Sequence, residues 1–208
     1  MKACVIDIDG TLIDFRKFDN QFISSYFCEH RFIQVLDRFL WKLNSLDFFT
    51  NKESFLKIRL LIYSILASNV VYSKLIREYN MCYLAYQKQE FVKAQLILDT
   101  IKSRGYAIYL ISNNNICSAI IKSSARYSCL SPIKLNIKRK KLYKLLAKAV
   151  DIHYVVGNNY MDDILSAKRL KKNNSCLKSI YVGNSSIKQM FNADFYALSI
   201  EQILEIVA

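Results

Sequence analysis

The 208-residue sequence is poor in the residues that break a chain or bind zinc: it contains 4 Gly, 1 Pro and 2 His. So few breakers, together with 52% hydrophobic residues, argue against a disordered or repeat protein and favour a compact domain, with or without an insertion. The two histidines, His30 and His153, neighbour no group of cysteines, so we expect no zinc site.

Long apolar runs are absent as well. The most hydrophobic segment, residues 60–72, is interrupted by Ser64, Ser68 and Asn69 and falls short of the roughly 20 apolar residues that span a bilayer. The apolar stretch before Asp7 is too short for a secretory signal core. The six cysteines are scattered singly, as is typical of a reducing compartment. We therefore expect a cytoplasmic protein without a membrane partner.

The sequence has an excess of positive charge, with a formal net charge of +13. Such an excess attracts nucleic acid, an anionic membrane or small phosphorylated substrates. The charge is spread along the chain and forms no tail, which weakens the case for nucleic acid. A lysine-rich solvated surface is the simpler interpretation.

Two carboxylates follow the first predicted strand. Residues 4–6 are Cys-Val-Ile, a brief and largely β-branched run that predicts a buried strand, and Asp7 and Asp9 come directly after it. Gly10 and Thr11 predict the turn that leaves the strand. Ligands bind at this end of strands in open α/β sheets. Two acids that face one site repel each other unless a cation lies between them, and a divalent cation with a phosphate ester would complete the arrangement.

The rest of the chain divides into a helical and a mixed part. Residues 15–88 show helical periodicity throughout, and β/α alternation follows from Glu90. The alternation predicts a parallel sheet with helices on both faces. The predicted strands are 106–111, 152–156, 179–182 and 193–198. The first predicted helix of this part ends near Gly105. The others are 116–123, 137–149 (with Leu142, Leu145, Leu146 and Val150 inward), 161–171 and 200–207.

Residues 7–11, Asp-Ile-Asp-Gly-Thr, resemble the first motif of the haloacid dehalogenase-like (HAD) phosphatase superfamily. The resemblance implies a Rossmann-like, three-layer α/β core with a parallel sheet in residues 1–14 and 89–208, and an all-helical cap in residues 15–88. It also implies a magnesium-dependent phosphomonoester hydrolase. Asp7 would be the nucleophile that forms an aspartyl-phosphate, and Asp9 would be the acid and base.

The second and third motifs of the family would bind the phosphoryl group. Ser112 and Asn113 follow the strand that ends at residue 111, where small donors and a helix N-terminus make a phosphate cradle; an N-cap serine would look the same. Lys134 is the first candidate for the phosphate-site lysine, and Lys138 is the alternative. Thr11 joins this substrate-binding group, where we expect it to fix the loop rather than to react.

The fourth motif matches residues 155–164, in which a strand ends at Gly157 and Asp162 and Asp163 open a helix. The family commonly has an aspartate directly after the glycine, whereas this chain has Asn158. The two acids alone would also suit the N-terminus of a helix. Their order and spacing relative to the other motifs favour the functional interpretation.

The resemblance implies Mg²⁺ as the cofactor, held by Asp7, Asp9 and either Asp162 or Asp163. The expected substrate is a small phosphorylated metabolite, which cations of the cap would suit; these are Arg16, Lys17, His30, Arg31, Arg38 and Arg59. Two other classes stay open. One is a phosphatase acting on nucleic-acid ends, and the other is a catalytically impaired binding protein with the same fold, which Asn158 would suggest.

Overall fold

The computed structural model describes residues 2–44, 52–112, 127–132, 135, 137–183 and 193–207. The strands in these ranges are β1 (Lys2–Asp7), β2 (Ala107–Ile111), β3 (Ser128–Leu130), β4 (Asp151–Gly157), β5 (Lys178–Val182) and β6 (Phe195–Ala197). The helices are α1 (Phe15–Tyr26), α2 (Arg31–Asn44), α3 (Lys52–Leu66), α4 (Tyr72–Ser103), α5 (Arg139–Ala149), α6 (Leu165–Lys171) and α7 (Ile203–Ile206). A five-residue π-helix, Tyr160–Ile164, precedes α6.

The strands form one sheet in the order β3-β2-β1-β4-β5-β6, and each pairing is parallel. Successive side chains of a strand point to opposite faces. Val5 and Ile6 are both fully buried, so both faces of β1 are covered. On the face that carries Val5, Leu142 of α5 and Ala167 of α6 pack into the same apolar cluster. The predicted Rossmann-like α/β fold with a parallel sheet is confirmed.

One long helix replaces two that the sequence predicted. We expected a helix to end near residue 88 and another to begin at Glu90, but α4 runs without a break from Tyr72 to Ser103. The segment contains no glycine or proline, so nothing in it ends a helix. Gly105 follows with a φ of 87°, a conformation that suits a glycine after a helix C-terminus.

The short strand β3 was missed in the sequence. It contains only Ser-Cys-Leu and pairs with β2 at the edge of the sheet, from Tyr109 opposite Ser128 to Ile111 opposite Leu130. Three residues are too few for an alternation of apolar and polar positions to be recognised. The closing helix is also shorter than predicted, at Ile203–Ile206. The predicted helix over 116–123 lies outside the described residues.

The chain divides into two compact units, one made of Met1–Asp14 with Gln87–Ala208 and the other of Phe15–Tyr86. The boundaries expected from the sequence fell after residues 14 and 88. In the second unit, the described residues that lie in regular structure are all helical. No helix in the described part of the chain has the length and apolarity needed to cross a membrane.

The helical unit is built around aromatic side chains. Phe18 lies 5.0 Å from Tyr83 and 5.2 Å from Tyr79 between ring centroids, and Phe22 lies 4.9 Å from Tyr79. Tyr79 and Tyr83 are buried with Phe27 in the same cluster. Aromatic pairs at these separations add to the area that they bury. The aromatic residues that recur with helical periodicity in the sequence therefore form the core of this unit.

Two of the arginines expected to attract an anionic substrate line a cavity in this unit. The cavity measures about 380 Å³ and is bordered by α1 and α2, with Arg16, Arg38 and Trp41 among its lining residues. The guanidinium of Arg16 lies 5.9 Å from the centre of the Trp41 ring. Whether these two arginines bind an anionic substrate stays a prediction.

Arg59 has a different role from the one expected. It is 1% exposed, and its Nη1 donates to Asp19 and to Asp37 at 2.7 Å each. Tyr79 donates to Asp19 and Tyr63 donates to Asp37, both at 2.6 Å. Burial lowers the pKa of Arg59, but the two carboxylates outweigh that effect and hold the pKa above its ordinary value. Arg59 is therefore a structural cation inside the helical unit.

We predict that Arg59→Met destabilises the helical unit by about 3–5 kcal/mol, because it leaves two buried carboxylates without their cation. Trp41 is the single tryptophan and donates to Asp19, so its fluorescence during urea unfolding reports on this unit. The exposed Arg38 offers a matched control, and Arg38→Met should change the free energy of unfolding by less than about 1 kcal/mol. Equal effects of the two substitutions would contradict the structural role.

Candidate active site

The three central strands bring polar side chains to one edge of the sheet. β1 lies between β2 and β4, and Asp7, the last residue of β1, pairs with Ile111 at the end of β2. Ser112 follows β2, and Gly157 is the last residue of β4. All three strands run in the same direction, so these residues share the carboxyl edge, where ligands bind in open α/β folds.

The loop after β1 holds Asp7 and Asp9 in place. The carbonyl of Ile8 accepts hydrogen bonds from the backbone amides of Thr11, at 3.3 Å, and of the two residues after it, at 3.0 Å each. Gly10 has a φ of 85°, which favours glycine. The hydroxyl of Thr11 donates to Asp7 Oδ2 at 3.1 Å. Thr11 therefore fixes the loop and orients the carboxylate, the local role expected of it.

Asp9 is oriented by the next strand of the sheet. The hydroxyl of Ser112 donates to Asp9 Oδ2 at 2.6 Å. Asp9 is half-buried, whereas Asp7 is 2% exposed. The two carboxylates thus accept hydrogen bonds from different residues and differ in their exposure to solvent. Asn113, predicted to act beside Ser112, lies outside the described residues.

The cation beside Asp7 is an arginine that the sequence interpretation passed over. Arg139 Nη2 donates to Asp7 Oδ1 at 2.5 Å and lies 2.8 Å from Asp163 Oδ1. Of the two predicted lysines, Lys134 lies outside the described residues and Lys138 is exposed, one residue before Arg139.

A signal for Arg139 was present in the sequence. The buried residues of α5 are Arg139, Leu142, Tyr143 and Leu146, which follow the spacing of one helix face. Leu145, predicted to face inward, is 48% exposed. A basic residue on the apolar stripe of a basic helix was therefore the informative feature. It was missed because arginines in such a helix are usually solvated.

Asp163 is the acid of the fourth motif that meets this cluster. It is fully buried, and it accepts from the hydroxyl of Tyr143 at 2.8 Å and from the backbone amide of Asn159 at 3.2 Å. A side chain at Gly157 would collide with it, because a Cβ there would lie 2.1 Å from Asp163 Oδ2. Gly157 is thus the residue that leaves room for the carboxylate.

Asp162 lies in the same turn but bonds within it. Asn159 caps the π-helix through its side-chain oxygen, which accepts from the amides of Met161 and Asp162 at 3.0 and 3.1 Å. The side-chain Nδ2 of Asn159 donates in turn to Asp162 Oδ2 at 3.4 Å. The hydrogen bonds of a π-helix span one residue more than those of an α-helix, and single-turn π-helices often occur at functional sites. In this turn Asp163 is buried, and Asp162 is half-buried.

Burial and charge set the protonation of this cluster. Burial and, to a smaller extent, the nearby Asp7 together raise the pKa of Asp163 to about 7, against the opposing effect of Arg139. Burial alone would lower the pKa of Arg139, but Asp163 and Asp7 hold it well above its usual range. Burial and the charge of Asp163 raise the pKa of the Tyr143 hydroxyl, so that it stays a donor.

Arg139 lies between two of the residues predicted to hold magnesium. Its Nη2 lies 2.5 Å from Asp7 Oδ1 and 2.8 Å from Asp163 Oδ1, so a magnesium ion on these carboxylates would have to bind other oxygen atoms. Arginine keeps its charge at any physiological pH. A second cation at the same point would be repelled by it.

The other predicted metal ligands accept hydrogen bonds from neighbouring side chains. The carboxylate of Asp9 accepts from Ser112, and that of Asp162 accepts from Asn159. Within the described ranges, no group of three or more His, Cys, Asp or Glu side chains is arranged to hold a metal ion. The side chain of Asn158 fills the space beside Gly10, where a Cβ would lie 1.9 Å from its Nδ2.

Comparison with solved structures identifies the fold. The HAD-hydrolase YfnB from Bacillus subtilis, determined bound to magnesium, has a TM-score of 0.61 and 12% identity, over 99% of this chain and 98% of its own. A HAD phosphatase from Thermococcus onnurineus has a TM-score of 0.56 and 15% identity, over 100% of this chain and 98% of its own. At these identities the likeness shows a HAD-like fold, which confirms the resemblance at that level. Neither the protein-family models nor the curated proteins give a match.

We predict a pH dependence of stability that disappears in Asp163→Asn. The pKa of Asp163 is about 7 in the folded chain and 3.8 ordinarily, so its protonation favours the folded state. This contribution is fully present below about pH 4 and is lost as the pH rises through about 7. We therefore expect the free energy of unfolding of the parent, measured in urea, to fall as the pH rises between these values. The fall should exceed that of the variant by a few kcal/mol. Asp162→Asn is the control and should keep the slope of the parent; a parent slope in Asp163→Asn would contradict the prediction.

Proposed function

We propose that this chain, with its HAD-like fold, is a phosphomonoester hydrolase that works through an aspartyl-phosphate at Asp7. One observation carries the proposal: the Asp7 carboxylate ends a central strand, is held by Thr11 and paired with Arg139, and precedes Asp9 by two residues. The neighbour from Thermococcus onnurineus, named as a phosphatase, supports this reaction class.

In the first step a carboxylate oxygen of Asp7 attacks phosphorus, and the bond from phosphorus to the ester oxygen breaks. The leaving oxygen takes a proton from the carboxyl group of Asp9, which acts as the general acid. The products of this step are an alcohol and a phosphoryl group bonded to Asp7. The different supports of the two acids suit these different roles, since a nucleophile needs fixed orientation and an acid needs access to the leaving group.

In the second step water replaces Asp7. The Asp9 carboxylate, left ionised by the first step, takes a proton from the water as it attacks phosphorus. The bond from phosphorus to Asp7 breaks, and inorganic phosphate leaves. Both residues return to their starting states, so no other proton donor or acceptor is needed.

The neighbouring residues position these acids and balance their charge. Ser112 orients the carboxyl group of Asp9 through its 2.6 Å hydrogen bond to Oδ2. Arg139 offsets negative charge on Asp7 and on the phosphoryl oxygens, as fixed donors do in phosphoryl transfer. Asn113 and Lys134 stay predictions for the same phosphate-binding role.

The proposed substrate is a small phosphorylated metabolite. The HAD resemblance implies that the helical unit, residues 15–86, selects it. Arg16 and Arg38, which line the cavity of about 380 Å³ in that unit, support an anionic substrate. The sequence also predicted magnesium, and the magnesium bound to YfnB supports that prediction by analogy. The steps above name only groups of this chain, and a bound magnesium ion would offset further charge on the phosphoryl oxygens.

We predict that Asp7→Asn lowers the rate of hydrolysis of 4-nitrophenyl phosphate at least about a thousandfold, because the amide is a far weaker nucleophile than the carboxylate. Steady-state release of 4-nitrophenol measures the effect. The exposed Asp14, seven residues further on, gives the matched control, and Asp14→Asn should keep the parent rate.

Equal rates in the parent and Asp7→Asn would contradict the assignment of the nucleophile. No hydrolysis by the parent across a panel of phosphorylated sugars, hydroxy acids and nucleotides would favour the impaired binding protein. Activity on the ends of DNA or RNA alone, falling steeply with salt, would favour the nucleic-acid-end phosphatase.

A further inference from the structure

The outer surface of α5 carries positive charge that no acid balances. Lys140, Lys141, Lys144 and Lys148 are all exposed, and we call these four side chains the lysine face. The helix contains no Asp or Glu. None of the four lysines forms an ion pair or a side-chain hydrogen bond with a residue that the structure describes. Their charges therefore point into solvent together.

The neighbouring helix adds charge of the same sign. α6 packs against α5, and Leu146 and Leu170 lie in one apolar cluster under the two helices. Arg169 of α6 and Lys172 directly after it are exposed. α6 contains no acid either. The positive surface therefore extends beyond a single helix.

The acids in this part of the chain are occupied elsewhere. Between Arg139 and Lys172 they are Asp151, Asp162 and Asp163. Asp151 bonds to His153 at 2.8 Å, Asp162 accepts from Asn159 at 3.4 Å, and Asp163 is fully buried. The segments of the first compact unit that lie outside the described residues contain no Asp or Glu. They therefore supply no carboxylate to the lysine face.

The lysine face does not stabilise its own helix. Lys140 and Lys141 lie in the first turn of α5, where the helix dipole disfavours cations, and no acid accompanies them there. Lys140, Lys144 and Lys148 follow at intervals of four residues, so that like charges are neighbours on the helix surface and repel each other. A partner that brings negative charge would remove this repulsion.

The high content of lysine in the chain does not by itself produce such a surface. On α4 the exposed lysines have acids beside them: Lys74 lies 3.9 Å from Glu78, and Lys93 lies 2.6 Å from Glu90. The charges of α4 are thus mixed and paired, whereas those of α5 have one sign. The lysine face is therefore a local feature of the fold.

The chemistry of this surface favours the backbone of a nucleic-acid duplex. Lys140 to Lys148 span about 12 Å of helix, and each strand of a duplex carries one phosphate per roughly 3.4 Å of its axis. Tyr143, the single aromatic residue of α5, is buried, so the face has no ring on which the bases of a single strand could stack. Leu145 is the one large apolar side chain exposed on α5, which is too little to enter a membrane surface.

We propose that the lysine face, together with Arg169 and Lys172, binds the phosphate backbone of double-stranded nucleic acid without regard to base sequence. Positive charge is spread along the sequence, but the fold brings part of it together on this surface. The contacts are made to phosphodiesters. The proposal therefore does not depend on the proposed hydrolysis of phosphomonoesters and is measured without turnover.

The first experiment measures binding by the parent protein. The probe is a fluorescein-labelled DNA duplex of about 20 base pairs whose ends carry hydroxyl groups, so that it offers no phosphomonoester to Asp7. Its fluorescence anisotropy is followed in about 50 to 200 mM KCl. We expect saturable binding, and the logarithm of the association constant should fall with the logarithm of the salt concentration with a slope of about −3 to −5.

The second experiment compares two double variants that lose the same charge. Lys140→Gln with Lys144→Gln should weaken binding at least about tenfold in 50 mM KCl and make the salt slope shallower by about 2, because two phosphate contacts are lost. Lys74→Gln with Lys93→Gln on α4 is the control and should keep the affinity and slope of the parent. Unfolding in urea checks that both variants are folded.

Two results would overturn the proposal. One is that the parent does not bind the duplex in 50 mM KCl, and the other is that both double variants lose affinity equally, since net charge alone would then explain binding. Binding to phosphatidylserine vesicles in place of the duplex would assign the surface to a membrane, and that would overturn it as well.

The proposed hydrolysis and the proposed duplex binding fail separately. The variant with Lys140→Gln and Lys144→Gln should hydrolyse 4-nitrophenyl phosphate at the parent rate, because neither lysine belongs to the candidate active site. A parent that hydrolyses no phosphomonoester but binds the duplex through α5 would contradict only the proposed function. A parent that hydrolyses phosphomonoesters but binds no duplex would contradict only the role of the lysine face.

Discussion

The candidate site depends on one shared ion pair, in which Arg139 lies between Asp7 and Asp163. Without it, two buried carboxylates from neighbouring strand ends would repel each other at short range. With it, the loop after β1 and the π-helix after β4 are tied to α5 through a single guanidinium. Tyr143 and Gly157 complete the arrangement, the first by donating to Asp163 and the second by leaving room for it.

The helical unit contains a second arginine that is buried between two carboxylates. Arg59 is buried between Asp19 and Asp37, and tyrosine hydroxyls donate to both carboxylates. In each unit an arginine neutralises two acids that are far apart in the sequence. A buried charge of this kind is tolerated only where it is paired and hydrogen-bonded. Both arginines are therefore fixed by their surroundings, which limits what else they can bind.

Local pattern was enough to predict much of the fold and part of the site. The β-branched run before Asp7 and the position of Ser112 after a strand placed both residues at one edge of a parallel sheet. The role of Arg139 was not predicted, because it depends on which face of a basic helix meets the sheet. The continuity of α4 was not predicted, because the spacing of apolar residues changes near residue 88. No glycine or proline lies there to end the helix. Likewise, the choice of Asp163 over Asp162 follows from the π-helix, which no sequence pattern indicated.

We expect the reaction to pass through a covalent intermediate on Asp7, the aspartate that is paired with Arg139. The most direct measurement uses Asp9→Asn, incubated with 4-nitrophenyl phosphate and MgCl₂, quenched with acid and examined by peptide mass mapping. The leaving group of this ester departs without a proton, and the variant lacks the base for the second step, so phosphorylated enzyme should accumulate. We predict one phosphoryl group, on the peptide that contains Asp7. No phosphorylation, or phosphorylation at another residue, would contradict this intermediate.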